Sequence, residues 1–326
     1  MQAKAVLARW KQSPTRLCLD LRPAAAYQTR HLVPSTNIPW QQITQRCAEL
    51  PPKNVPFAIV EPAHFRGECV PWLEERGWQC PWVFCDDDEE LWTADTTMVE
   101  HGPPSQRWLL FQPCPFLARH IDLIESRLND DGKKTCLDIG CGSGRDVAWL
   151  MASKGWHVYA LDSSNGAVER TQALAEHMGV KDHLVKTMQA KVMADGGWKS
   201  FDETKGGEAM SLSKEQQYSP GMPADLFFRD KLGCNQFDMV VTIRFLVRSL
   251  LPQLPNLLKP GGMLVISHFV DDGVHEYDQP RKSHRLQLGE LAELYGQRKD
   301  LEILVDVIEE IEDGRPVNSI IVSTTC

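Results

Sequence analysis

The sequence lacks a hydrophobic run long enough to cross a membrane. None of its apolar stretches reaches the roughly 18 residues that a bilayer requires. Its opening residues, MQAKAVLARWKQSPTRL, also lack the continuous apolar segment of a secretory signal. We therefore expect a soluble, cytoplasmic chain without membrane attachment. The opening carries Lys4, Arg9, Lys11 and Arg16 and no acid, which leaves a mitochondrial presequence as the alternative.

Positive charge is in deficit. Lys and Arg number 35 against 44 Asp and Glu, which makes the formal net charge −9. Such a balance disfavours binding to nucleic acid or anionic lipid through broad electrostatic attraction. A small molecule or a protein is therefore the expected partner. Nothing in the sequence indicates an oligomeric state.

Closely paired cysteines with metal-ligand spacing are missing, although the sequence has ten Cys residues. They are scattered, and no close pair has the spacing of zinc ligands with a second pair to match. Free cysteine in apolar surroundings is typical of a reducing compartment, where it packs as a small hydrophobic residue. The sequence therefore predicts free thiols and no metal site.

The length of 326 residues exceeds the usual size of one hydrophobic core, so two domains are expected. Residues 1–95 combine short strands with helices, and residues 96–107, rich in turn formers, are the predicted linker. Residues 108–326 alternate strands and helices, which is typical of a parallel sheet covered on both faces. Within them, residues 196–236 have no clear period. We expect a mobile insertion near the site there, with a disordered linker as the alternative.

A glycine-rich loop follows a predicted strand in the segment CLDIGCGSGRD. Gly140, Gly142 and Gly144 lie between that strand and a helix, where a side chain would keep a bound nucleoside away from the backbone. The next strand ends at Asp162 in HVYALDSS. A carboxylate at this position accepts both ribose hydroxyl hydrogens in charge-assisted bonds worth ~1.5–3 kcal/mol each.

Two cofactors use such an arrangement, a nicotinamide dinucleotide and S-adenosylmethionine. A dinucleotide loop has the pattern GxGxxG, whereas this loop has GxGxG with Asp138 two residues before Gly140. That form favours S-adenosylmethionine. The helix N-terminus after Gly144 then faces the methionine carboxylate instead of a pyrophosphate.

Three segments carry a family resemblance: LDIGCGSGRD, GWHVYALDSS and FDMVVTIRFLVRSLLPQLPNLLKPGGMLVISHF. From about Trp108 to the C-terminus the chain resembles the tellurite-resistance-type branch of class I S-adenosylmethionine-dependent methyltransferases. That branch has an aromatic-Leu-x-Arg segment, here Phe245, Leu246 and Arg248, and then a Pro-Gly-Gly turn. The resemblance implies an α/β fold with a seven-stranded Rossmann-like sheet.

The same resemblance implies a set of donor-binding residues. They are Asp138, Gly140, Cys141, Gly142 and Gly144 at the methionine part, Asp162 and Ser163 at the ribose, Ala190 and Lys191 at the adenine, and Ile243 and Arg244 at the methyl group. The family often has an acidic residue at the adenine position, where this chain has Ala190 and Lys191. The Cys141 side chain is expected to point into the packing between sheet and helix, which disfavours a nucleophilic role.

Methyl transfer from a sulfonium is an in-line displacement, and holding donor and acceptor in line contributes up to ~7–11 kcal/mol of the barrier. A base is needed only if the acceptor loses a proton. His268, at the end of GGMLVISHF, is the candidate, with a hydrogen-bonded loop histidine as the alternative. Arg244 or Arg248 is a candidate for an anionic acceptor, with a plain ion pair as the alternative. The strand end lacks an Asn-Pro-Pro-aromatic segment, which disfavours methylation of nucleic-acid base amines.

Residues from about 4 to 95 resemble the rhodanese homology domain through LCLDLRPAAAYQTRHLVPSTNIPW. The matching positions are Asp20, Arg22, Tyr27, His31, Asn37 and Pro39. Sulfur transfer in that family needs a cysteine after the central strand, where Glu61 stands here, and Cys69 comes too late. The resemblance therefore implies an inactive module. A methyltransferase with a docking domain is the expected function, with a two-domain pseudoenzyme or a bifunctional sulfur and methyl transferase as alternatives.

Overall fold

The structure is a computed structural model and describes residues 3–128, 132–201 and 221–325. The chain divides into two compact units, Met1–Gln112 and Pro113–Cys326. None of the helices in the described ranges has both the length and the apolar character that a membrane span requires.

The first unit is built on a four-stranded parallel sheet in the order β3-β1-β4-β5. A separate antiparallel pair joins β2 to β6. The helices are α1 (Ala3–Trp10), α2 (Ala24–Thr29), α3 (Cys69–Glu75) and α4 (Glu89–Thr93). The strands are β1 (Cys18–Asp20), β2 (Arg30–Leu32), β3 (Thr36–Asn37), β4 (Ala58–Glu61), β5 (Trp82–Cys85) and β6 (Val99–His101).

Helix α1 is amphipathic. Its buried residues, Ala3, Val6, Leu7 and Trp10, follow the spacing of one helical face. They belong to one of the two hydrophobic clusters of this unit. The other cluster consists of different residues, among them Phe57 and Leu73. Strands β1 and β4 are buried along their whole length, as parallel strands covered on both faces must be.

The segment predicted as a linker, residues 96–107, carries structure within the first unit. Asp95 accepts a hydrogen bond from the Thr97 backbone N–H at 3.1 Å and so begins a short helical turn. Strand β6 follows, and Leu110 is buried in the core of the unit. A three-residue strand is too short to leave an apolar period in the sequence, which is why this extension to residue 112 was not predicted.

The second unit contains a nine-stranded, mostly parallel sheet with α-helices packed against it. The helices are α5 (Pro115–Arg127), α6 (Arg145–Lys154), α7 (Asn165–His177), α8 (Ala224–Leu232) and α9 (Glu290–Gly296). The strands are β7 (Thr135–Ile139), β8 (His157–Asp162), β9 (Leu184–Val192), β10 (Trp198–Ser200), β11 (Phe237–Ile243), β12 (Leu258–Asp271), β13 (Leu286–Gln287), β14 (Leu301–Glu310) and β15 (Pro316–Thr324).

The strand order is β10-β9-β8-β7-β11-β12-β15-β14, with β13 beside β12. Strands β9, β8, β7, β11 and β12 run parallel, while β15, β14 and β10 are antiparallel to their neighbours. The prediction of a mixed α/β sheet is confirmed. Nine strands replace the expected seven because β10 and β13 have only three and two residues, too few to show a pattern in the sequence.

The expected insertion, residues 196–236, has folded ends. Strand β10 pairs with β9, and α8 buries Ala224, Phe227 and Phe228 beside Trp198. The two aromatic residues of α8 lie in the main core cluster, so this part of the expected insertion supports the sheet. Residues 202–220, which contain most of the polar stretch that was expected to be mobile, lie outside the described residues.

Chain direction fixes where a ligand can bind. From β7 the chain proceeds to β8 and β9 on one side of the sheet, and it later returns to β11 and β12 on the other side. The loops after β7 and β11 therefore leave neighbouring strands in opposite directions. The crevice at such a point, outside the carboxyl ends of the strands, is the usual ligand site of open α/β sheets.

Candidate active site

The glycine loop after β7 is tied to the neighbouring strand. The backbone N–H groups of Gly140 and Cys141 donate to the Leu161 carbonyl at 2.8 and 3.0 Å. Gly142 has φ +56°, and a Cβ there would meet nothing nearer than the Gly140 carbonyl oxygen at 3.9 Å. Gly144 has φ +77°, and a Cβ there would lie 2.7 Å from Thr171 Oγ1. The loop is therefore packed at Gly144 and open at Gly142, where a ligand can approach the backbone.

Asp162, at the end of β8, lies beside this loop. Its carboxylate accepts the Gly142 N–H at 3.0 Å through Oδ2 and the Ser164 N–H at 2.8 Å through Oδ1. Each carboxylate oxygen has a second lone pair, so the half-buried group can still accept two hydroxyl hydrogens. Gln189 lies next to it in the sheet register and donates from Nε2 to the Ser163 carbonyl at 3.0 Å.

Asp138 is buried on β7, two residues before the loop. Burial raises the pKa of its carboxyl well above the usual range, and the nearby carboxylates of Asp146 and Asp162 raise it further. Asp146, at the start of α6, accepts the Cys114 N–H at 2.6 Å. Three acids in one crevice repel each other, and a cationic ligand relieves that repulsion.

These features match the chemistry of S-adenosylmethionine. The donor carries a sulfonium and an ammonium group, which suit the carboxylates of Asp138, Asp146 and Asp162. Its ribose hydroxyls suit the free lone pairs of Asp162, and the open backbone at Gly142 leaves space for it. The residues present therefore fit this donor.

A cavity of about 430 Å³ lies beyond the carboxyl ends of β11 and β12. It is lined by Arg244, Phe245, Leu246, His268, Gln279, Pro280, Arg281 and His284. We call it the acceptor pocket. The Phe245 ring joins it to the glycine loop, because a Cβ on Gly140 would lie 2.7 Å from Phe245 Cγ. Phe245 therefore touches the donor loop and lines the acceptor pocket.

His268 is 4% exposed and lines this pocket. Its Nε2 lies 2.8 Å from the His284 carbonyl oxygen, and because a carbonyl only accepts, Nε2 carries the proton. Its Nδ1 is buried and has no hydrogen-bond partner among the described residues. Burial lowers the pKa of His268, so the ring is neutral at pH 7 with Nδ1 as a proton acceptor.

The two candidate arginines differ in their surroundings. Arg248 donates from Nε to Glu290 at 2.7 Å and from Nη1 to the Ser283 carbonyl at 2.8 Å, so the ion-pair alternative describes it. Arg244 follows Ile243 with φ +56° and lines the acceptor pocket. Its side chain is 45% exposed, and its guanidinium lies 3.4 Å from Glu312, a loose pair that leaves the side chain accessible.

The remaining predicted residues have other surroundings. Cys141 is buried and receives a hydrogen bond from Thr171 at 3.4 Å, and burial raises the pKa of its thiol to about 12, which makes it unreactive. Ala190 is packed in the core, and Lys191 is exposed on β9. Gln189 is the residue of this segment that lies opposite Asp162.

Sequence reasoning missed two contacts of the site. Thr171, on α7, is fully buried beneath Gly144, and nothing in its sequence neighbourhood indicates that position. Asp146 was also missed, although an acid in the first turn of the helix that follows the glycine loop is a readable signal.

The family model described as a methyltransferase domain matches residues 114–299, more than half of the chain. An uncharacterised protein of Schizosaccharomyces pombe, UNK4.09, is 36% identical over 316 residues, which are 92% of this chain and 91% of that protein. A ubiquinone biosynthesis O-methyltransferase of Rickettsia canadensis is 37% identical over 70 residues, 21% of this chain and 29% of that enzyme. Magnesium protoporphyrin IX methyltransferase from Synechocystis, solved with bound S-adenosylmethionine, covers 64% of this chain and 78% of its own at 14% identity and a TM-score of 0.40.

The chain therefore belongs to the methyltransferase-domain family of class I enzymes. The expected activity and the expected donor are confirmed: it is an S-adenosylmethionine-dependent methyltransferase.

Proposed function

We propose that this enzyme methylates a small molecule held in the acceptor pocket, with the donor bound at the loop after β7. The main support for the proposal is Phe245, which contacts the glycine loop and also lines the acceptor pocket, so that the pocket lies directly beside the loop. Asp138, Gly140, Cys141, Gly142 and Gly144 hold the methionine part, Asp162 and Ser163 the ribose, Gln189 to Lys191 border the adenine, and Ile243 and Arg244 border the methyl group. When bound, S-adenosylmethionine supplies the electrophilic methyl group.

His268 acts as the general base in this proposal. Nδ1 is buried, so the acceptor would have to displace the side chains that cover it. Nδ1 would then take the proton of the acceptor's O–H or N–H and free an electron pair for the methyl group that S-adenosylmethionine would supply. The Nε2–H stays with the His284 carbonyl, which orients the ring and stabilises the imidazolium that forms. Phe245 and Leu246 exclude water from the reacting atoms.

The experiment is methylation of fractionated small molecules from a cell extract with a methyl-labelled donor. The wild-type enzyme is expected to label a low-molecular-weight fraction. The variant His268→Gln is expected to bind the donor normally and to label that fraction ~10²–10⁴ times more slowly. Label found only in protein or nucleic acid would contradict the proposal.

The tellurite-resistance-type branch remains our proposal for the finer family position. The segment Phe245, Leu246 and Arg248 supports it. Phe245 and Leu246 line the pocket, and Arg248 donates to the Glu290 carboxylate and to the Ser283 carbonyl, which precedes the lining residue His284. The Pro-Gly-Gly turn falls inside strand β12.

We also propose that the first unit is a rhodanese-like module that docks a partner and does not transfer sulfur. Its parallel sheet supports this, as do the buried ion pair of Arg22 with Asp20 at 2.6 Å and the Asn37 amide that donates to both backbone carbonyls of that pair. Glu61 stands at the cysteine position and accepts the Gly67 and Val70 N–H groups at 3.4 and 3.3 Å. The free cysteines of the described residues support a cytoplasmic location.

A further inference from the structure

One wall of the acceptor pocket, residues 277–285, is held by arginine side chains that donate to its backbone. Arg285, 2% exposed, donates from Nε to the Pro280 carbonyl at 2.8 Å and also contacts the Tyr277 carbonyl. Arg315 donates to the Gln279 carbonyl at 2.6 Å and pairs with Asp313. Together with Arg248, which donates to the Ser283 and Arg285 carbonyls, these side chains are committed to holding the wall.

Two further arginines do not donate to the backbone of this wall. Arg281 lines the pocket, is exposed, and its guanidinium has no ion pair or hydrogen bond with any residue that the structure describes. Arg244 has its loose contact with Glu312 at 3.4 Å. His284, which also lines the pocket, uses its carbonyl oxygen to accept from His268 and keeps its exposed ring at the surface.

The charge of the pocket is opposite to that of the chain. The whole sequence carries a net charge of −9, yet the lining includes two arginines and no carboxylate. Among the described residues, Glu312 is the one acid in an ion pair with this lining, and it contacts Arg244 from outside it. The carboxylates of Asp146 and Asp313 also interact with the charge of Arg244. A cationic pocket in an acidic protein attracts anions specifically to this place.

The apolar residues of the lining indicate what the uncharged part of the ligand is like. Phe245, Leu246 and Pro280 are apolar, and a cavity of about 430 Å³ is of the size that holds a small organic molecule. A guanidinium donates two parallel hydrogen bonds to a carboxylate or a phosphate. Resting on the proposed function, we propose that the methyl acceptor is a small organic anion whose carboxylate or phosphate group is bound by Arg281 and Arg244, with its nucleophile at His268.

The test compares three ring compounds of similar size that differ in charge. Enzyme saturated with S-adenosylhomocysteine is titrated by calorimetry with 4-hydroxybenzoate, 4-hydroxyphenyl phosphate and neutral 4-hydroxybenzyl alcohol. At least one anion is expected to bind about tenfold or more tightly than the neutral compound, since a charge-assisted pair contributes that much. Which anion binds more tightly distinguishes a carboxylate from a phosphate acceptor.

Two variants test whether Arg281 and Arg244 cause the preference for anions. Arg281→Gln is expected to reduce the preference to less than about threefold, and Arg244→Gln to reduce it in part. The matched control is Lys282→Gln, which removes an equal charge from the next residue. Lys282 does not line the pocket, and its amine is 3.9 Å from Asp271, so the preference should survive.

Absence of an anion preference in the wild type, or a preference that both arginine variants retain, would overturn this inference. A titration with S-adenosylmethionine on the same preparation separates the two proposals. If the donor does not bind, the proposed donor site fails. If the donor binds and the anions do not, only the charge of the acceptor is wrong.

Discussion

Asp162 joins two parts of the proposed donor site, since its carboxylate accepts hydrogen bonds from the glycine loop and from the turn after β8. Replacing it with Ala would remove both of the bonds proposed to the ribose. We predict that Asp162→Ala weakens S-adenosylmethionine binding by ~10- to 100-fold in a calorimetric titration. Asp182→Ala, which removes an exposed acid from a turn away from the loop, is the control and should bind normally. Unchanged affinity in Asp162→Ala would refute the ribose assignment.

If Asp138 binds the donor as proposed, donor binding should depend on pH. Its pKa is raised by burial and by two neighbouring acids, and a cationic donor lowers it, so binding should release a proton. The apparent affinity is then expected to rise with pH. The binding heat should change with the ionisation enthalpy of the buffer in the wild type and lose that dependence in Asp138→Asn. A heat independent of buffer in the wild type would contradict this linkage.

The same residue should lower the stability of the donor-free enzyme. When the folded-state pKa of a carboxyl lies above its unfolded value, the free energy of unfolding of the protein falls as the pH rises from about 4 through the folded-state pKa. We predict that Asp138→Asn raises the melting temperature at pH 7 by roughly 2–4 °C, about 1 kcal/mol, while it weakens donor binding. A lower melting temperature would mean that the carboxylate has a partner that stabilises it.

His268 should set the acid limit of turnover. Since burial lowers its pKa, the ring stays neutral to below pH 6.5 and then gains a proton, so the rate should fall only under that pH. The pH profile of labelled product measures this. The fall in rate at acid pH should disappear in the slow variant His268→Gln. A fall that persists in this variant would show that another group causes it.

At the scale of elements, helix α6 is flanked by two cap glycines in the left-handed conformation, Gly144 before it and Gly155 after it. A Cβ on Gly144 would lie 2.8 Å from the Thr171 backbone Cα, whereas a Cβ on Gly155 meets nothing within 4 Å. We predict that Gly155→Ala lowers the free energy of unfolding by about 1–2 kcal/mol, from backbone strain alone. Gly144→Ala should cost about 3 kcal/mol or more, because α7 must also shift. Equal losses in chemical unfolding would show that the contact with Thr171 does not matter.

The elements that the sequence predicted are those with a strong local signal. Strands β7 and β8 end in the glycine loop and in Asp162, and both the apolar runs and the turn residues mark them. The short strands β6, β10 and β13 were missed, because two or three residues show no period and depend on their partner strands. Of the acceptor pocket, the sequence indicated Arg244 and His268 but not the wall that carries Arg281. Arg281 and Phe245, 36 residues apart in sequence, come together only because the chain returns along β12.

At the scale of the whole molecule, the first unit should not transfer sulfur. Sulfur transfer needs an accessible thiolate, but Cys69 is buried, and burial together with the nearby Glu61 carboxylate raises the pKa of its thiol to about 12. The full chain is therefore expected to give only background thiocyanate from thiosulfate and cyanide, equal to that of Cys69→Ser. Activity that Cys69→Ser abolishes would make the enzyme bifunctional.

The wall of the acceptor pocket has a consequence for how such enzymes diversify. Its backbone is held by Arg248 and Arg315, which lie outside residues 277–285, and by Arg285 at its end. Those bonds reach carbonyl groups, which every amino acid has. The side chains at positions 279, 281 and 284 can therefore be exchanged without losing the support of the loop. One scaffold with an unchanged donor site could in this way acquire new acceptors by drift at a few pocket positions, and a library randomised at these positions should remain folded.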